Sequence, residues 1–215
     1  ILSADVSQAD QLVPALRAFS EKVGVPDILV NNAGNSMPGE FAHQSLEVFR
    51  ELIDINYFGA VHATHALLPG MLTRNSGLIV NISSVAGFLG TYGYAAYGAS
   101  KFALRGFSDV LRAELKLSGI NVAVVFPPDT DTPQLAAEMP FKPEITVELS
   151  KTTTKLTPGV VAAAILKGVS RGDYIITPGF EATILFWLNN FLGRLAYPVM
   201  DLAIKDAQKK VQKNS

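Results

Sequence analysis

Short, unbroken apolar runs alternate along this chain with longer stretches in which apolar residues recur every three or four positions. The runs are Asp27 to Asn31 (DILVN), Leu78 to Ile82 (LIVNI), Ile120 to Phe126 (INVAVVF) and a shorter one, Tyr174 to Thr177. They lack the apolar/polar alternation of a half-exposed strand, so they predict strands covered on both faces. The stretches between them predict helices from Ser7 to Val23, from about Ser45, from Ile55 to Arg74, from Ala96 to Leu117 and from Pro158 to Ser170. Ser7 and Asp10 have the S-x-x-D spacing of a helix start. The segment between Pro127 and the helix at Pro158 is polar and proline-bearing, and no element is assigned to it.

Strands separated by long amphipathic helices predict an α/β fold: a doubly wound parallel sheet with helices on both faces. Right-handed crossovers then bring every strand's carboxyl end to one edge, where open α/β sheets bind ligands. Three unusual segments fall there: Asn31 to Gly34, Ser83 with Ser84, and Pro127 to Thr132.

With 215 residues, 48% of them hydrophobic, the chain can bury one good core but not two. A net charge of −1 without a basic stripe before the last residues argues against a nucleic-acid partner. The absence of cysteine rules out disulfides, thiolate metal sites and a cysteine nucleophile. His62 and His65 share a predicted helix face but have no acidic cluster at ligand spacing, so they are read as packing residues and no metal site is expected. Asp129 and Asp131 lack a third ligand and are read as solvated.

The densest chemistry is Tyr97-Gly98-Ala99-Ser100-Lys101, with Ser84 upstream. On a helix, Tyr97 and Lys101 share a face, and a cation beside a phenol favours the phenolate. Asn31-Asn32-Ala33-Gly34, Asn56, Ser84, Tyr97 and Lys101 together resemble, in order and spacing, the motifs of the short-chain dehydrogenase/reductase family, over about residues 1 to 178. The resemblance implies a Rossmann-like sheet and a catalytic group of Asn56, Ser84, Tyr97 and Lys101. Tyr97 would give its proton to a substrate carbonyl, with its pKa depressed by Lys101. Ser84 would donate to the same oxygen, and the backbone of Asn56 would hold a water linking Lys101 to solvent so that protons are replaced.

For the cofactor, the resemblance assigns Asp5 and Val6 to the adenine ring and Asn31, Ala33 and Gly34 to the adenine ribose and diphosphate. Tyr97 and Lys101 would meet the nicotinamide ribose, while Pro127, Thr130 and Thr132 would flank the nicotinamide. Pro127-Pro128 stands where the family usually has Pro-Gly, which removes one backbone N–H. The glycine-rich turn that seats a pyrophosphate is absent, as is the residue that separates NAD from NADP. We therefore expect a sheet lacking its first two βα units, an exposed apolar edge at Ile28, and no dinucleotide binding by these residues alone.

The run Pro127-Pro128-Asp129-Thr130-Asp131-Thr132-Pro133 resembles the loop of family members that reduce a long-chain keto-sphingoid base with NADPH. That branch implies an endoplasmic-reticulum membrane location with a cytosolic active site, and the family implies a homodimer through the helices that begin near Ile55 and Ala96. Other readings stand beside it: a membrane-associated reductase of a steroid, retinoid or fatty-acyl carbonyl, or a non-catalytic truncated form. Residues 179–215 are read as a separate hydrophobic segment with a basic tail. Ala182 to Gly193 carries no charge, and Ile184, Leu188, Leu192, Leu195, Val199 and Leu202 form a helical stripe before Lys205, Lys209, Lys210 and Lys213. An in-plane membrane helix, a helix covering the sheet or a dimer interface, and a true span all fit this pattern.

Overall fold

Ile28–Asn31 (β1), Gly77–Ile82 (β2), Ile120–Val125 (β3) and Ile175–Ile176 (β4) pair in parallel as one sheet, in chain order. The structure is a computed structural model, and it describes residues 1–151 and 153–214. The helices are Ala9–Val23 (α1), Leu46–Ile53 (α2), Gly59–Arg74 (α3), Ala95–Glu114 (α4), Pro133–Glu138 (α5), Glu144–Ser150 (α6), Pro158–Arg171 (α7), Phe180–Leu192 (α8) and Ala196–Asn214 (α9).

Register explains how both sheet faces are covered. Ile79 pairs with Val122, and on that face they pack with Met71 and Leu68 of α3 and Leu111 and Phe107 of α4. Val80 pairs with Ala123 on the other face, where Ile165 and Val169 of α7 close over them. The two central strands, β2 and β3, thus bury successive side chains on opposite sides, which is why their sequences read as continuous apolar runs. The cover fails at β1: Ile28 and Val30 are each 52% exposed, the open apolar edge expected from the sequence.

Polar side chains bind the layers together from within. Asn31 and Asn81 are register partners, and Asn31 Nδ2 donates to Asn81 Oδ1 at 2.7 Å and to Thr64 Oγ1 of α3 at 3.3 Å. Asn81 Nδ2 donates to Ser108 Oγ of α4 at 2.9 Å, and Ser108 Oγ donates to the Leu104 carbonyl. Two strands and two helices share this chain of hydrogen bonds, and Asn81 and Ser108 are fully buried. Buried polar groups satisfied in this way specify one arrangement of the layers.

Several local expectations need correction. Helix α1 starts at Ala9 without a capping box; Ser7 instead gives its N–H and hydroxyl to Asp5 Oδ1. The polar, proline-bearing segment after Pro127, to which the sequence assigned no element, holds α5 and α6. Thr132 caps α5, with Oγ1 accepting from Leu135 N at 3.3 Å and Pro133 filling the first helical position. Asp129 is not simply solvated, since Lys142 Nζ lies 3.9 Å from its Oδ2.

The apolar stripe from Ile184 to Leu202 does not lie on one helix. Gly193, at φ 52°, and a 3-10 turn over Gly193–Leu195 divide it between α8 and α9. Helix α8 covers the core with Phe186, 3% exposed, which stacks on Phe126 and meets Phe88 edge-on. Its other side leaves Phe180, Trp187 and Phe191 largely exposed. Helix α9 packs on α6 and buries Ala207. Among the described residues, no helix is long and apolar enough to cross a membrane.

Candidate active site

The ends of β1, β2 and β3 and the first turns of α4 converge on Tyr97 and Lys101. After β2, Ser84 begins a 3-10 turn over Val85–Gly87 and accepts from Ala86 N at 3.2 Å. This turn lies directly on α4. A Cβ on Gly87 would stand 2.2 Å from Ser83 Oγ and 2.9 Å from the Lys101 carbonyl, so only glycine lets the two backbones approach this closely. Ser83 Oγ donates to that same carbonyl at 3.0 Å. The packing of turn on helix brings Ser84 to the Tyr97 side of α4, where its hydroxyl favours the phenolate.

Lys101 is 5% exposed, and its Nζ donates to the Ile82 carbonyl at 2.9 Å. It stands 5.6 Å from the centre of the Tyr97 ring. Burial pulls the ammonium down to about 8. Tyr97 departs from expectation: burial pushes its phenol up to about 12, against the lowering effect of the Ser84 hydrogen bond, and Glu138 and Asp129 add to the rise. Desolvation therefore outweighs any help from Lys101, and the Tyr97 phenol is held protonated.

Asn56 sits in a π-helical turn, Asp54–Phe58, between α2 and α3. Its side chain is an orienting hub. Oδ1 accepts from Asn35 N at 2.8 Å, and Nδ2 donates to the Asn35 carbonyl at 2.9 Å and to Ser100 Oγ at 2.9 Å. Ser100 in turn donates to the Tyr97 carbonyl at 2.7 Å. Asn56 thus fastens the turn after β1 to the first turns of α4.

The residues assigned to a cofactor divide into three groups. Gly34 adjoins Asn56 and Lys101: a Cβ there would lie 3.0 Å from Asn56 Oδ1 and 3.3 Å from Lys101 Nζ. Ala33 is exposed beside it. Asn31 sends its side chain into the sheet, as described above, so any cofactor contact falls to its backbone. Asp5 and Val6 lie against α3: Val6 O meets His62 Nδ1 at 3.1 Å, and a Cβ on Gly59 would lie 3.0 Å from Val6 Cγ2. Asp5 is occupied with Ser7, whose hydrogen bonds lower its carboxyl pKa.

On the far side of the cluster, the Pro127 carbonyl accepts from Val85 N at 3.0 Å. Asp129 O and Asp131 N bond to Leu156, a parallel bridge that turns Thr130's own peptide groups the other way. Thr130 Oγ1 donates to the Pro128 carbonyl, and the Thr132 hydroxyl accepts from Leu135 N with its proton still free to donate. The small space kept at Gly34, the buried amine of Lys101 and the outward peptide of Thr130 fit the nicotinamide and ribose end of a dinucleotide.

Tyr94, Glu138 and Lys142 escaped the sequence reading. Tyr94 OH donates to Glu138 Oε2 at 3.0 Å, its ring lies 5.8 Å from that of Tyr97, and Lys142 Nζ lies 5.8 Å from the Tyr94 ring centre. The Thr132-Pro133 helix start was the available signal, because one and a half turns later it places Glu138 beside the site.

Known proteins resemble this chain in sequence and in fold. A 3-ketodihydrosphingosine reductase of Mus musculus is 41% identical over 185 residues, which cover 86% of this chain and 56% of that protein. The chain thus spans little more than half the length of this curated relative. A short-chain dehydrogenase from Streptomyces avermitilis superposes with a TM-score of 0.75 at 28% identity, over 99% of this chain and 80% of its own. A Sphingobium yanoikuyae short-chain dehydrogenase in complex with NADPH gives 0.74 at 26% identity, over 93% and 74%. The short chain dehydrogenase pattern itself matches residues 1–142, the part that holds β1 to β3, Asn56, Ser84, Tyr97 and Lys101, and the chain belongs to that family.

Proposed function

We propose that the protein is an oxidoreductase that uses NADPH to reduce the ketone of 3-ketodihydrosphingosine to the alcohol of dihydrosphingosine, a step of sphingolipid synthesis. The observation that carries this reading is the gathering of Ser84, Tyr97 and the buried amine of Lys101 at the end of β2, in a chain 41% identical to a protein named for that reaction. A bound reduced nicotinamide supplies hydride to the carbonyl carbon. The carbonyl oxygen takes its proton from Tyr97 and a hydrogen bond from Ser84, so the charge that develops there is met by donors already in place. Lys101 would hold the cofactor ribose and offer a cation to the phenolate left behind. Gly34, Thr130 and Thr132 complete the nicotinamide end.

A long-chain base resides in a bilayer, and the exposed apolar surface of α8 and α9 suits docking there. Phe180, Trp187, Phe191, Tyr197 and Leu202 are each at least 65% exposed, and Lys205, Lys209, Lys210 and Lys213 follow. We place these helices on the membrane surface, the protein at the cytosolic face of the endoplasmic reticulum, and a homodimer contact on α3 and α4, where Phe102 and Val110 are exposed.

The test is an assay of the full-length protein with NADPH, presenting 3-ketodihydrosphingosine and a steroid ketone in the same mixed micelles. Preferred turnover of the keto-sphingoid base is expected. Preference for the steroid, or turnover of neither, overturns the proposal. Carbonate extraction of the protein with and without residues 182–200 reads the membrane contact, and equal extraction would remove it.

A further inference from the structure

Glu138 is a buried carboxylate whose direct partners are uncharged. It is 8% exposed at the end of α5, with Oε2 accepting from Tyr94 OH at 3.0 Å and Oε1 from Gln134 Nε2 at 3.3 Å. Among the described residues no cation lies within ion-pair distance of it. The nearby Lys142 is engaged with Asp129 at 3.9 Å, and Lys101 is bonded to Ile82. A buried charge held only by neutral donors is costly, and a cation entering beside it would offset that cost.

The position of this charge matters. One tyrosine ring separates Glu138 from the proton donor, since Tyr94 holds the carboxylate and lies 5.8 Å from Tyr97. The field of Glu138 also reaches the Tyr97 phenol, where it opposes ionisation.

The substrate proposed above carries an ammonium on the carbon next to its ketone. When the ketone oxygen meets Ser84 and Tyr97, that cation is confined to the immediate surroundings of the same phenol. We propose that Glu138, held by Tyr94, receives the substrate's ammonium group and so selects amino ketones over ketones without the amine. This rests on the sphingoid-base reading and adds the residue that recognises the amine. Binding would also assist the chemistry: a cation beside Glu138 cancels the field that holds the Tyr97 proton, and the phenol becomes a better acid.

Two measurements on the full-length protein test this. The first is kcat/KM with NADPH for 3-ketodihydrosphingosine and for the same ketone lacking the amino group, in wild type and Glu138→Gln. Wild type should favour the amino ketone by ~10-fold or more, the size of preference set by one buried polar contact, and Glu138→Gln should collapse the ratio toward one. A ratio unchanged by Glu138→Gln overturns the assignment while leaving the sphingoid-base reading in place.

The second measurement needs no turnover. Binding of a short-chain sphinganine is compared with that of its uncharged N-acetyl derivative by calorimetry, in wild type, Glu138→Gln and Tyr94→Phe. Tighter binding of the free amine by wild type, lost in Glu138→Gln and weakened in Tyr94→Phe, supports the assignment. Equal binding of amine and N-acetyl forms by a folded wild type refutes it, whichever carbonyl the enzyme reduces.

Discussion

Lys101 Nζ donates to the carbonyl of Ile82 at 2.9 Å, tying a buried ammonium to the last residue of the central strand β2. This bond orients the amine, but burial still lowers its pKa to about 8 from the ordinary 10.5. The unfolded chain keeps its proton up to about 10.5 while the folded one releases it near 8, so stability rises as pH climbs through that window. The gain amounts to roughly 3 kcal/mol for this group alone. Tyr97 acts in the opposite sense only above 10, where the unfolded phenol ionises before the folded one. Urea unfolding at neutral and mildly alkaline pH should show the rise in wild type and lose it in Lys101→Met.

The same titration should appear in catalysis. In the proposed reduction Lys101 is charged beside the nascent phenolate, so kcat/KM should fall as pH rises through about 8, whereas Tyr97 stays protonated to about 12. Lys101→Arg should move the falling limb to higher pH. A limb unaffected by that substitution would assign the titration to another group.

Tyr97→Phe removes the donor and leaves the ring. Turnover should drop by about 10²- to 10⁴-fold with NADPH affinity nearly unchanged. Ser84→Ala should cost ~10²-fold in kcat, as expected for one donor to a developing oxyanion, with a small stability loss from the uncapped 3-10 turn. Steady-state kinetics alongside fluorescence titration of NADPH separates these effects.

Asn81→Ala leaves both Asn31 Nδ2 and Ser108 Oγ without their buried partner. The expected cost is about 3 kcal/mol, read as a lower urea midpoint. The site should be affected less than the scaffold, because Asn56 and Ser100 form a separate network.

Phe186→Ala removes a ring that stacks on Phe126 at 5.4 Å and meets Phe88 at 5.1 Å. Roughly 3 kcal/mol of stability should be lost. Protease cleavage within α8 should become faster if Phe186 is what holds this helix on the core.

Much of the fold could be read from the chain because strand and helix periodicities are local. The run from Leu78 to Ile82 needs no partner to declare itself a buried strand, and Tyr97 and Lys101 are one helical turn apart wherever that helix lies. Thr132-Pro133 carried an equally local signal for α5, and composition masked it. The stripe from Ile184 to Leu202 misled in the opposite way, since periodicity cannot report the break at Gly193.

The sequence alone determined the strand and helix order, the parallel α/β class, and the identities of Asn56, Ser84, Tyr97 and Lys101. Their chemistry depends on neighbours that only tertiary packing supplied. Asn56 meets Ser100 across 44 positions, and Glu138 meets Tyr94 across another 44. Packing also decided the state of Tyr97. Spacing pointed to a phenol eased toward ionisation by Lys101, whereas burial raised the phenol and lowered the amine, because desolvation depends on what surrounds a charge and not on its distance along the chain.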